Sequence, residues 1–175
     1  MPDALERVAR LVRAIPDFPK PGIMFRDITP MVRDPAALDA CIEHLAAPFR
    51  DQRVSAVAGM EARGFIFGAL VAARLGVGFV PLRKPGKLPY DVQSVSYDLE
   101  YGSAALEAHI DAVLPGERIL LVDDLLATGG TCKASCELVE RLGGEVLACA
   151  FVIELDALGG RAKLGDRPVH ALLHY

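Results

Sequence analysis

The stretch from Glu117 to Leu142 constrains the fold of this chain more than any other. It reads E-R-I-L-L-V-D-D-L-L-A-T-G-G-T-C-K-A-S-C-E-L-V-E-R-L. Ile119–Val122 is an unbroken apolar run, which predicts a short strand buried on both faces, as in a parallel sheet. The run ends in two adjacent carboxylates, Asp123 and Asp124. A loop of small residues follows, Ala127-Thr128-Gly129-Gly130-Thr131, and then a helical pattern with Leu138, Val139 and Leu142 on one face and Gly143 as its stop. This order sets free backbone N–H groups and the positive end of a helix dipole at a strand's carboxyl end. With the hydroxyls of Thr128 and Thr131 added, the stretch predicts a phosphate cradle.

The two commonest phosphate loops do not fit. A P-loop needs a Lys after its last Gly, and none follows Gly130. A dinucleotide fingerprint begins directly after its strand, whereas here two acids intervene. Carboxylates beside a phosphate repel it unless they have separate work. Asp123 and Asp124 suit a vicinal diol, whose hydroxyls are donors, or a magnesium ion. Phosphate plus diol describes a ribose 5-phosphate group. The competing reading is a plain strand-to-helix turn with solvated acids.

At 175 residues, 52% of them apolar, the chain predicts a single domain with a substantial core. No apolar run approaches a membrane span, and the charged Met1–Arg7 segment does not read as a signal peptide, so a cytoplasmic protein is expected. A net charge of −4 with no long basic run argues against general nucleic-acid binding. A polyanionic ligand would therefore need a local cluster of cations. The four cysteines, Cys41, Cys132, Cys136 and Cys149, contain no C-x-x-C and read as buried thiols rather than metal ligands or disulfides, with Cys132 and Cys136 on one helix face. The four histidines are scattered without ligand spacing.

Leu5, Val8, Leu11, Val12 and Ile15 predict an opening helix ended by Pro16. Residues 17–30, D-F-P-K-P-G-I-M-F-R-D-I-T-P, read as an extended apolar arm without regular structure. Within it Phe25, with Arg26 beside it, either stacks on a flat ring or only packs. Asp34-Pro35 caps the next helix, which runs through Leu45. Val54–Gly59 reads as a buried strand, Met60–Gly64 as a turn and Phe65–Leu75 as a helix closed by Gly76. Arg63 in that turn is placed to grip an anion. Gly78–Leu82 is a third strand, followed by Arg83, Lys84 and Lys87, the missing basic cluster. Residues 88–102 predict a flexible hairpin or lid with little to pack, and Ser103–Val113 a helix. Val146–Leu155, a short helix or turn over Leu158–Leu164, and Val169–Leu173 complete the chain.

Five blocks in this order, F-P-K-P-G-I-M-F-R-D-I-T-P, E-A-R-G-F-I-F-G, R-K-P-G-K-L-P, Y-D-L-E-Y-G and V-D-D-L-L-A-T-G-G-T, resemble the type I phosphoribosyltransferase family. The likeness spans essentially the whole chain and is strongest to members that take adenine as the base. It implies an α/β fold with a five-stranded parallel sheet and helices on both faces. To this it adds a hood from the N-terminal helix and arm (residues 1–33), and a basic loop and flexible lid (residues 83–102). It implies purine salvage, in which adenine and phosphoribosyl diphosphate give AMP and pyrophosphate, with Mg²⁺ as cofactor and a homodimer as the assembly. Ala127–Thr131 would hold the 5-phosphate, and Asp123 and Asp124 would face the ribose hydroxyls. Phe25 and Arg26 would meet adenine. Glu61, Ala62, Arg63, Arg83, Lys84 and Lys87 would receive the diphosphate, Arg63 also acting in catalysis. Glu100 and Tyr101 would close over the reacting centre, Glu100 passing a proton or ordering the lid. Two alternatives remain: another purine base (xanthine, hypoxanthine or guanine), or a regulator that binds phosphoribosyl diphosphate without turnover.

Overall fold

A computed structural model of the chain describes residues 4–98 and 102–175. The chain forms two compact units, Met1–His44 and Leu45–Tyr175.

The first unit opens with helix α1 (Ala4–Arg10), shorter than its apolar spacing predicts. Residues beyond it turn into strand β1 (Arg13–Pro16), which pairs antiparallel with β2 (Met24–Asp27). The arm is therefore a hairpin rather than an irregular segment. Pro16 ends a strand here, where its missing N–H costs nothing. Arg13 donates to Asp27 Oδ2 at 2.6 Å, and Asp27 Oδ1 accepts the Thr29 N–H at 2.9 Å. The Thr29 bond first, then Arg13, hold the Asp27 carboxyl down at about 2. A short helix α2 (Thr29–Arg33) leads to α3 (Pro35–Ala46). Asp34 caps α3 as expected: its Oδ1 accepts the Ala37 N–H at 2.8 Å, and Arg7 grips the same carboxylate at 2.6 Å.

The second unit is built on a parallel sheet of five strands: β3 (Ala56–Met60), β4 (Gly78–Leu82), β7 (Arg118–Leu126), β8 (Glu145–Glu154) and β9 (Val169–His174). Their spatial order is β4-β3-β7-β8-β9. β3 and β7, with their continuous apolar sequences, occupy inner positions, as burial on both faces requires. Helix α4 (Gly64–Leu75) packs close over β3, where Gly59 and Gly68 leave room for the Phe79 ring. Gly76 closes α4 at φ +70°. Helix α5 (Gly130–Arg141) lies on the face carrying Ala58, Leu121, Cys149 and Phe151, to which it contributes Cys132, Cys136, Leu138 and Val139.

Two further expectations change. The Ser103–Val113 segment is no helix: strand β6 (Ser103–His109) pairs antiparallel with β5 (Val92–Asp98) in full register from Val92–His109 to Asp98–Ser103. Alternating burial of Leu106 and Ala108 supports the strand, and alanine-rich composition misled the helical reading. Nor does the hairpin lack packing, since Val95, Leu106 and Ala108 join the α5-side core and Tyr97 lies against it. All four cysteines are buried free thiols, as expected, and burial pushes the Cys41 thiol up to about 12. Among the described residues no helix is long and apolar enough to cross a membrane.

Candidate active site

β3 and β7 pair in parallel from Ala56–Ile119 to Gly59–Val122, so their carboxyl ends lie side by side. Whatever follows each strand therefore converges on one place, the usual site for ligands in sheets of this kind. After β3 comes the turn Glu61-Ala62-Arg63, whose Glu61–Ala62 peptide is cis. After β7 comes the loop Ala127-Thr128-Gly129. The two line one cleft of about 380 Å³ with Lys84, Asp123, Asp124, Gly130 and Thr131.

The loop is shaped by glycine at two levels. Gly129 takes φ +80° and starts α5, accepting the Lys133 N–H at 2.9 Å. No side chain caps α5 among the described residues, so the first N–H groups of the helix are left to a ligand. The second level was invisible in the sequence. Gly160, in a 3-10 turn (Gly160–Leu164) after β8, lies directly against the loop: a Cβ there would strike the Ala127 carbonyl oxygen, and one on Gly129 would strike the Gly160 carbonyl. The next residue, Arg161, anchors this buttress by gripping the buried Glu154 carboxylate at the end of β8 through both Nε and Nη2. On the other side, the Tyr97 hydroxyl of β5 lies 3.3 Å from Thr131 Oγ1.

The acids sit inside β7 rather than after it, because β8 continues to offer ladder partners through Leu126–Glu154. Asp123 accepts the Asp124 N–H at 2.8 Å on its own Oδ1. Gly64 comes so close that a Cβ would lie 2.9 Å from that oxygen. Desolvation, and then the neighbouring Asp124 charge, push the Asp123 carboxyl well above its ordinary range. Asp124, 7% exposed, is engaged by Arg63, whose Nε lies 2.5 Å from its Oδ2.

The cations divide. Arg63 and Lys84 line the cleft. Arg83 and Lys87 instead turn to Glu61, Arg83 Nε at 3.2 Å from Oε2 and Lys87 Nζ at 3.5 Å from Oε1. The Lys84 N–H also donates to Glu61 Oε2, at 3.0 Å. That bond first, and the two cations after it, hold the Glu61 carboxyl below its ordinary range. A carboxylate in a diphosphate loop looks out of place in sequence; here it organises the basic cluster. Phe25 and Arg26 lie on β2 of the first unit, where Phe25 meets Phe18 edge-on at 5.1 Å. Glu100 and Tyr101 lie outside the described residues. Phe151 and Cys132 also line the cleft, and no sequence signal pointed to either.

A parallel sheet with a glycine loop and an acid pair at one strand end, and an Arg-bearing turn at the next, defines the phosphoribosyltransferase class. Residues 31–167 match the phosphoribosyl transferase domain family. The adenine phosphoribosyltransferase of Methylococcus capsulatus is 69% identical over 171 residues, 98% of this chain and 100% of that protein. Among solved structures, adenine phosphoribosyltransferase from Thermoanaerobacter pseudethanolicus is 53% identical with a TM-score of 0.95, covering 98% of this chain and 99% of that one. The Saccharomyces cerevisiae enzyme, complexed with an imino-altritol bisphosphate and adenine, is 41% identical with a TM-score of 0.92, covering 97% of this chain and 98% of that one. The chain belongs to the adenine phosphoribosyltransferase family.

Proposed function

We propose that this protein transfers the 5-phosphoribosyl group from phosphoribosyl diphosphate to adenine, giving AMP and pyrophosphate. The observation that carries the reading is the single cleft in which the 127–131 loop, the Asp123–Asp124 pair and Arg63 converge. The 5-phosphate is received by the N–H groups at the start of α5 and by Thr128 and Thr131. Asp123 and Asp124 accept hydrogen bonds from the ribose hydroxyls, which fixes the sugar with its anomeric carbon toward the 61–63 turn. Arg63 and Lys84 meet the diphosphate as its charge grows in the transition state, and Arg83 and Lys87 add to the local field through Glu61. A diphosphate in the cleft competes with Asp124 for the Arg63 guanidinium, so binding frees that carboxylate for the sugar. Phe25 and Arg26 are assigned to the adenine ring. Glu100 is assigned to the imidazole edge of the base, either donating a proton or ordering the segment, and Tyr101 to closure.

Magnesium fits the donor set, since Asp123 and Asp124 offer hard oxygen ligands within the cleft while Glu61 is already committed to cations. Mg²⁺ would be held mainly by the substrate, with Asp123 or Asp124 as its protein ligand, and would supply charge neutralisation for the leaving diphosphate. We further propose that the whole chain works as one phosphoribosyltransferase domain, residues 1–33 supplying its N-terminal helix and hood arm, that it assembles as a homodimer, and that it acts in the cytoplasm.

The test is incubation with phosphoribosyl diphosphate, Mg²⁺ and each purine base in turn. AMP should form far faster than IMP, GMP or XMP. Faster turnover of xanthine, guanine or hypoxanthine would move the protein to another base. Tight phosphoribosyl-diphosphate binding with no nucleotide formed would make it a regulator.

A further inference from the structure

Directly behind the 127–131 loop, three thiols meet that the proposed chemistry does not use. Cys132 and Cys136 project from one face of α5, and Cys149 comes from the facing strand β8. Their sulfur atoms all lie within 4.8 Å of one another, and Cys136 Sγ is 3.8 Å from Cys149 Sγ. An ion bonded to sulfur at about 2.3 Å sets its ligand sulfurs about 3.8–4.0 Å apart in tetrahedral or trigonal geometry. The Cys136–Cys149 pair already stands at that spacing, and α5 and β8 hold all three sulfurs close together within the core. Cys136 and Cys149 are fully buried, but Cys132 also lines the active-site cleft, which gives a path inward.

We infer that Cys132, Cys136 and Cys149 form a binding site for a soft, thiophilic cation of the copper(I) class, entered through the active-site cleft. The donor set selects the ion. Three sulfurs with no histidine or carboxylate among them favour a soft cation over magnesium or calcium. Three ligands suit the low coordination numbers of copper(I) better than the four that structural zinc takes. Copper(I) held by two thiolates and one thiol carries a net charge of −1. Two S–H bonds lose their protons to solvent, two Cu–S bonds form, the third sulfur donates as a neutral thiol, and nothing is oxidised or reduced.

The experiment is anaerobic titration of the intact protein with copper(I) against a chromophoric copper(I) chelator. One equivalent should be withdrawn from the chelator, with a thiolate-to-copper charge-transfer band growing in step. Cys136→Ala and Cys149→Ala, checked for folding by circular dichroism, should each weaken binding about 100-fold or more. Cys41→Ala, which lies outside the cluster, should bind as the unaltered protein does. X-ray absorption on the copper-loaded unaltered protein provides a readout that no variant's folding can confuse, and it should show sulfur scatterers alone. Failure to withdraw copper from the chelator, undiminished binding in both cluster variants, or nitrogen or oxygen scatterers at the metal would each overturn the site.

Discussion

The strand ends of β7 and β3 face the same cleft but are built on opposite principles. At β7 the binding groups are main-chain N–H groups, fixed by Gly129, by the Gly160 buttress behind it and by the start of α5. At β3 and the neighbouring β4 they are side-chain charges, and three of them are already in ion pairs: Arg63 with Asp124, Arg83 and Lys87 with Glu61. The first end can receive an anion without rearrangement. The second must exchange partners. On the proposed function, one end would fix where the substrate sits and the other would respond as charge moves, which is the division a displacement with a departing polyanion needs.

The sharpest way to break this contrast is Arg63→Ala. It removes a donor from the responsive end and should lower kcat by about 10²–10³ while leaving the KM for phosphoribosyl diphosphate much less affected. A KM effect with kcat intact would make Arg63 a ground-state binder like the loop. Next in size, Gly160→Ala drives a methyl into the Ala127 carbonyl and to 2.9 Å from the Gly129 nitrogen, pushing on the loop from behind. Displacing the loop by a fraction of its width should cost about 100-fold in kcat/KM. Normal kinetics in a protein of normal thermal stability would show that the buttress does not position the loop. Glu61→Gln should be milder, raising KM for the diphosphate substrate by about tenfold, because Arg83 and Lys87 lose the charge that gathers them. If KM falls instead, Glu61 acts as a repulsive neighbour and not as an organiser.

The smallest effect concerns Asp123 and is a pH trend. Its carboxyl titrates above its unfolded value, so the stability it contributes is complete below that value and is lost as pH rises through the raised one. Asp123→Asn, neutral throughout, should flatten this decline in thermal unfolding as pH rises from about 4. Ligand binding runs the other way, since an ionised Asp123 accepts from the ribose hydroxyls more strongly. Affinity in the unaltered protein should therefore rise over the interval in which stability falls, and the variant should show neither slope.

How much of this could be read from sequence follows from what is local. The strand, acid pair, loop and helix of 117–142 are contiguous, so periodicity and glycine placement revealed them together. Asp34 as a cap and Gly76 as a helix stop are local for the same reason. Three things were not local. The β1–β2 and β5–β6 hairpins depend on partners across turns, and an alanine-rich strand such as β6 carries no helix-versus-strand signal of its own. The roles of Glu61 and Gly160 depend on neighbours over 20 and over 30 residues away in sequence, Arg83 for one and Ala127 for the other. The thiol cluster needs Cys149 to come round on β8, while the spacing of Cys132 and Cys136 shows only a shared helix face.

The glycine-to-glycine contact between Gly129 and Gly160 bears on what can change in this protein over time. A pocket walled by side chains can be retuned one substitution at a time, each giving a slightly different affinity or preference. A pocket walled by main chain offers no such gradient, because N–H groups are the same whatever residue carries them. Here a methyl at Gly129 meets the Gly160 carbonyl and one at Gly160 meets the Ala127 carbonyl, so neither position can drift alone. Diversification toward new bases is therefore open to elements away from the loop, while the main-chain wall of the loop stays tied to both glycines.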